Sequence, residues 1–130
     1  MASARLWLAL AALNGFMAVA AGAFGAHAVQ DAAAKEWLRV GAQYQALHAV
    51  AALAIFGVVR AASGPANWSG WLFGAGGLVF AGSLYLLALT GARVWGAVTP
   101  VGGVLLLAGW AALLWGLLAG GPPGEVRFGP

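Results

Sequence analysis

Residues 6–26 read LWLALAALNGFMAVAAGAFGA, a run with no charged side chain between Arg5 and Asp31. A helix rises 1.5 Å per residue, so about 20 apolar residues cross a hydrocarbon core of roughly 30 Å. This stretch therefore predicts a membrane-spanning helix. Arg5 and the small residues Ala18-Val19-Ala20 give it a loose likeness to a signal peptide, but its apolar run exceeds a usual signal core. We read it as a span.

Three further runs follow the same rule. They cover about residues 41–59, between Arg39 and Arg60, residues 70–90, before Arg93, and residues 100–119. Residues 1–120 thus form a single four-span membrane domain, and residues 121–130 a short polar C-terminal tail. The composition agrees. Only 7% of the 130 residues are charged and 63% are hydrophobic, too few charges to coat a water-facing surface and too apolar for disorder. There is no cysteine, which removes disulfides and thiolate metal sites. The net charge of +3 comes from single, scattered Lys and Arg residues, so no basic patch supports nucleic-acid binding.

The span ends carry local signals. Ser69 precedes the third run as a helix N-cap, and Gly91 follows it as a C′ glycine. Thr99-Pro100 reads as N-cap and first helical residue of the fourth span. Gly120-Gly121-Pro122-Pro123 stops that span. Trp7, Trp68, Trp71 and Trp95 lie near span ends, where interfacial tryptophans belong. Between the first two spans, Asp31 and Lys35 form an i, i+4 pair beside Ala34, Trp37, Leu38 and Gly41. This predicts a short amphipathic helix on the interface, either separate from the second span or continuous with it. The basic residues divide three against three between the two sides, so charge asymmetry selects no orientation.

Small residues let membrane helices approach closely. Gly102, Gly109 and Gly116 recur at seven-residue steps with Leu106 and Leu113 between them. Gly70 and Gly74 form a GxxxG pair, and Gly22 sits in an i, i+4 series with Ala18 and Ala26. These are packing residues, either within the bundle or at a homo-oligomer seam.

Polar groups inside a bilayer are costly, so their depth is informative. His27, Gln43, Tyr44, Gln45, His48, Ser83, Tyr85 and Thr99 all fall towards the membrane side opposite the termini. The expectation is a polar cluster in that half, with Asn14 near the middle as interhelical glue. The cluster reads either as a site for a small ligand, lipid headgroup or partner subunit, or as hydrogen-bond glue throughout. No span holds a carboxylate, and no nucleophile, metalloprotease or phosphate-loop motif is present, so the chain reads as non-enzymatic and without a cofactor or metal. Two readings stand beside this one. The first is a small-solute channel or transporter acting as a homo-oligomer. The second is a haem-binding electron carrier using the two histidines.

Three stretches carry a family resemblance: Gly22–Ala28 (GAFGAHA), Gly41–Ala49 (GAQYQALHA) and Phe80–Gly91 (FAGSLYLLALTG). Thr99–Gly103 (TPVGG) and Gly109-Trp110 continue the last. Together they resemble domain-of-unknown-function family 423, the YgdD-like small inner-membrane proteins, over about residues 6–120. The resemblance implies four spans, residence in a bacterial inner membrane and no established activity. The motif residues it carries over are Gly22, Phe24, Gly25, His27, Gln43, Tyr44, Gln45, His48, Gly82, Ser83, Tyr85, Thr99, Pro100 and Gly103. Leu47 departs from the pattern, since an aromatic residue is frequent there.

Overall fold

The computed structural model of the chain describes residues 2–61 and 66–119. Among them run four α-helices and no strand: α1 (Ala2–Ala28), α2 (Ala32–Ala61), α3 (Ala66–Thr90) and α4 (Val94–Ala119). All four are long and apolar enough to cross a membrane. The fold is an all-α, four-helix integral membrane bundle, and each apolar run lies within one helix.

The bundle is apolar outside and more polar within. On α1, Trp7, Ala11, Asn14 and Ala18 are buried, while Leu6, Leu13, Phe16 and Val19 face outward. Both stripes follow the helical repeat of 3.6. On α2 the inner stripe is Ala34, Leu38, Ala42, Gln45, Ala49, Ala52 and Ile55. Glycine-rich α3 is the central helix and packs against α1, α2 and α4.

The α3–α4 seam shows why glycine recurs every seven residues. A Cβ on Gly102 would fall on the Phe80 backbone, one on Gly109 on the Phe73 ring and one on Gly116 on Ala66. Seven residues up α4 matches seven residues down α3, as an antiparallel pair in a 3.5-residue repeat requires. Leu106 fills the notch at Gly76. Gly70 and Gly74 do the same work towards α1, where they admit Trp7 and Leu10, and Gly22 meets Ala42 of α2 in ordinary contact. The glycine faces are thus occupied within the chain.

Several helix ends differ from expectation. The amphipathic segment is the opening of α2, continuous with the span. Its cap is Asp31, whose carboxylate accepts from the Ala34 amide at 2.8 Å. Asp31 thus acts on the backbone, and the ion pair here joins Arg39 to Glu36 at 2.6 Å. Ser69 is not an N-cap, because α3 already begins at Ala66; its hydroxyl is buried within the helix. Gly91 does end α3: φ is 68° and its N–H donates to the Leu87 carbonyl at 2.8 Å. That sharp stop lets α4 start early, at Val94, so Thr99 and Pro100 lie inside it. Pro100 lacks the N–H for the Gly96 carbonyl, a loss that membrane helices tolerate when neighbouring groups compensate. Trp7 is no interfacial anchor. It is fully buried, its indole lying where a Gly70 side chain would be. Trp68 is exposed at the start of α3, while Trp71 and Trp95 are partly buried. The glycine–proline stop and the polar tail lie outside the described residues.

Candidate functional site

The expected cluster separates into three groups. The first sits at the centre of the bundle. Gln45 lies thirteen residues into α2, about 20 Å along the helix. Asn14 lies midway along α1. The Tyr85 hydroxyl donates to Gln45 Oε1 at 2.7 Å, and Gln45 Nε2 donates to Asn14 Oδ1 at 3.0 Å. Asn14 Nδ2 donates in turn to the carbonyls of Leu10, at 2.9 Å, and Gly74, at 3.2 Å. The chain of bonds runs from α3 through α2 and α1 and back to α3. Gly77 makes it possible, since a Cβ there would stand 2.7 Å from Asn14 Oδ1. Both amide carbonyls have a donor and the Asn14 amide nitrogen uses both of its protons. Gln45 Nε2 also approaches the Met17 sulfur at 4.0 Å.

The second group lines a groove of about 400 Å³ between α2, α3 and α4. Its walls are Tyr44, Leu47 and His48 of α2, Phe80 of α3, and Gly103, Leu106, Leu107 and Trp110 of α4. His48 is buried and braced at both nitrogens. The Tyr44 carbonyl lies 2.7 Å from Nδ1, and Trp110 Nε1–H donates to Nε2 at 3.0 Å. A carbonyl only accepts and an indole N–H only donates, which assigns the Nδ1–H tautomer. Phe73 packs 5.4 Å from the imidazole centroid, and Tyr44 packs 4.8 Å from Phe80. Tyr44 is 46% exposed and lines this groove, and its hydroxyl has no hydrogen bond among the described residues.

In the third group, Ser83 and Thr99 share a contact of 2.7 Å across the α3–α4 seam. Ser83 also reaches the Phe80 carbonyl at 2.9 Å, and Thr99 that of Trp95 at 3.2 Å. Two hydroxyl protons serve three contacts.

His27 and Gln43 join none of these groups. Both are exposed; His27 ends α1, and Gln43 accepts from Arg39 at 3.2 Å. His48 is sixteen residues from the start of α2, about 24 Å along it. The groups therefore reach the middle of the bundle, because α2 begins at Ala32, nine residues before the second apolar run. Sequence reasoning gave Asn14 no part in the cluster and overlooked Trp110. A signal for Trp110 existed: it stands in mid-span, away from interfaces, with an indole N–H that needs a partner there.

Chemically, the central group is a closed staple. The groove is an open, mostly apolar cavity whose lining holds one hydroxyl, that of Tyr44. Both His48 nitrogens are engaged, and the described residues hold no grouping of three or more metal-ligating side chains.

The family model described as "Protein of unknown function (DUF423)" matches residues 21–103. A UPF0382 membrane protein of Staphylococcus aureus is 44% identical over 113 residues, covering 85% of this chain and 93% of its own. The UPF0382 inner membrane protein YgdD of Escherichia coli is 43% identical over 120 residues, covering 89% and 92%. No solved structure matches. With the family model over most of its length and relatives of this identity across nearly the whole of it, the chain belongs to the DUF423 family of membrane proteins.

Proposed function

We propose that this protein is a non-catalytic membrane protein that holds a small, membrane-dissolved molecule in the groove between α2, α3 and α4. The observation carrying this reading is the contrast within the groove wall. His48 is braced by Trp110 and the Tyr44 carbonyl, whereas the Tyr44 side chain lines a cavity of about 400 Å³ and its hydroxyl has no partner among the described residues. Preformed apolar clefts with a few placed polar groups are the usual form of small-ligand sites.

Depth argues for the ligand class. Tyr44 lies five residues further along α2 than Arg39, about 8 Å deeper if the charged opening of α2 lies at the interface. A phospholipid headgroup stays at the interface. A ligand that meets this hydroxyl carries its own carbonyl or hydroxyl into the hydrocarbon region, as isoprenoid quinones and alcohols do.

Two other readings have less support. For a small-solute channel or transporter acting as a homo-oligomer, Trp7, Ile55 and Phe73 fill the core on the terminus side of Asn14, so the path would have to run between copies. Haem ligation by His48 needs a nitrogen that Trp110 or Tyr44 now occupies.

The test is to compare the lipid extracts of the wild type and Gly103→Leu after mild purification. A Cβ at Gly103 meets only Phe80 Cδ2 at 4.0 Å, so leucine enters the groove without disturbing the backbone. The expected result is a non-phospholipid species retained by the wild type and depleted in the variant. Identical extracts would overturn the reading.

A further inference from the structure

A second cavity lies on another face of the molecule, between the end of α1 and the opening of α2. It has a volume of about 170 Å³ and is lined by Gly22, Gly25, Ala26, Ala42, Lys35 and Arg39. We propose that this cleft binds the phosphate headgroup of an anionic phospholipid.

Charge complementarity argues for that occupant. The lining holds two cations and no acid. Lys35 and Arg39 are i, i+4 on α2 and so share a face. Both sit within the first turns after the Asp31 cap, at the level where lysine and arginine side chains reach the headgroups. Lys35 offers three N–H donors. Arg39 gives two of its five N–H groups to Glu36 and a third to Gln43, leaving two for a ligand. Phosphate oxygens accept from both residue types.

The floor argues for a lipid over a free anion. Gly22, Gly25, Ala26 and Ala42 make it apolar and shallow. Such a surface suits the glycerol and upper acyl chain attached to the phosphate and contributes nothing to inorganic phosphate. The site is separate from the α2–α3–α4 groove and takes a different ligand at a different depth.

Native mass spectrometry tests the proposal, with the full chain in detergent and equal phosphatidylglycerol and phosphatidylcholine of identical acyl chains. The wild type retains phosphatidylglycerol at least about fivefold over phosphatidylcholine, the effect expected of one basic residue near a headgroup. Lys35→Gln loses about fivefold in phosphatidylglycerol alone. Glu36→Gln, which removes the negative charge and one of the two oxygens that accept from Arg39, raises it. Gly22→Leu fills the floor and lowers both lipids; its Cβ makes only ordinary contact with Ala42 at 3.7 Å. Gly103→Leu changes neither, which separates this site from the groove. Equal retention of the two lipids, or unchanged preference in Lys35→Gln, overturns the proposal. Displacement of phosphatidylglycerol by millimolar inorganic phosphate overturns the assignment to a lipid.

Discussion

Two of the polar groups of this protein, the central staple and the groove, use similar residues to opposite ends. In the Asn14–Gln45–Tyr85 staple, both amide carbonyls accept from a protein donor and the hydroxyl donates to Gln45. In the groove, the Tyr44 carbonyl and Trp110 brace His48, yet the Tyr44 hydroxyl has no partner among the described residues. One tyrosine closes a network and the other leaves one open. Within a bilayer, residue type does not decide between glue and site. What decides is whether the partners are already present and whether the group can be reached.

The contrast can be broken most forcefully at the seam beneath the groove. Gly102→Leu would drive a side chain into the Phe80 backbone, so α3 and α4 must separate. Overpacking of this kind costs about 3 kcal/mol or more where backbone cannot yield. We expect α4 to detach while the staple among α1, α2 and α3 persists, as read by cross-linking of engineered cysteine pairs in each interface. Next in size is Gln45→Leu, which orphans Asn14 Oδ1 and the Tyr85 hydroxyl together. Interhelical hydrogen bonds in membranes average about 0.6 kcal/mol, but buried orphans cost about 1 kcal/mol or more each, giving about 2 kcal/mol in all. Unfolding in mixed micelles measures it, and the groove should keep its ligand. Trp110→Phe reverses that pattern. It removes one neutral hydrogen bond beside the open groove, costs less than about 1 kcal/mol, and lowers ligand retention. The smallest effect is expected of Ser83→Ala, about 0.5 kcal/mol in the same titration, because Thr99 keeps the Trp95 carbonyl as a partner.

The fold was legible because span length and the absence of charge are properties of the chain itself. The residues 6–26 and their three counterparts needed no knowledge of neighbours. The glycines at 102, 109 and 116 were also visible as a stripe, although that α3 rather than a second chain covers them depends on Phe80, Phe73 and Ala66 facing them. Helix ends were harder. Ser69 and Thr99 have good capping chemistry, but the preceding turns, Ala66 and Val94, already continue the helix. The polar residues were least legible. Their membership depends on which side chain of another helix meets them, as Asn14 meets Gln45 across 31 positions. Charged Lys35, Glu36 and Arg39 hid the true start of α2, and with it the position of Gln45 and His48 near the middle of that helix.

The central claim is that one tyrosine hydroxyl is held by a protein partner while the other is left for a ligand, and the chain contains only these two tyrosines, Tyr85 and Tyr44. Carbene footprinting from a lipid-soluble diazirine, mapped by peptide mass spectrometry in reconstituted bilayers, compares them in one sample. The account predicts labelling at Tyr44 above that at partly buried Tyr85, with Gln45→Leu raising Tyr85 alone. Equal labelling of the two tyrosines in the wild type would contradict it.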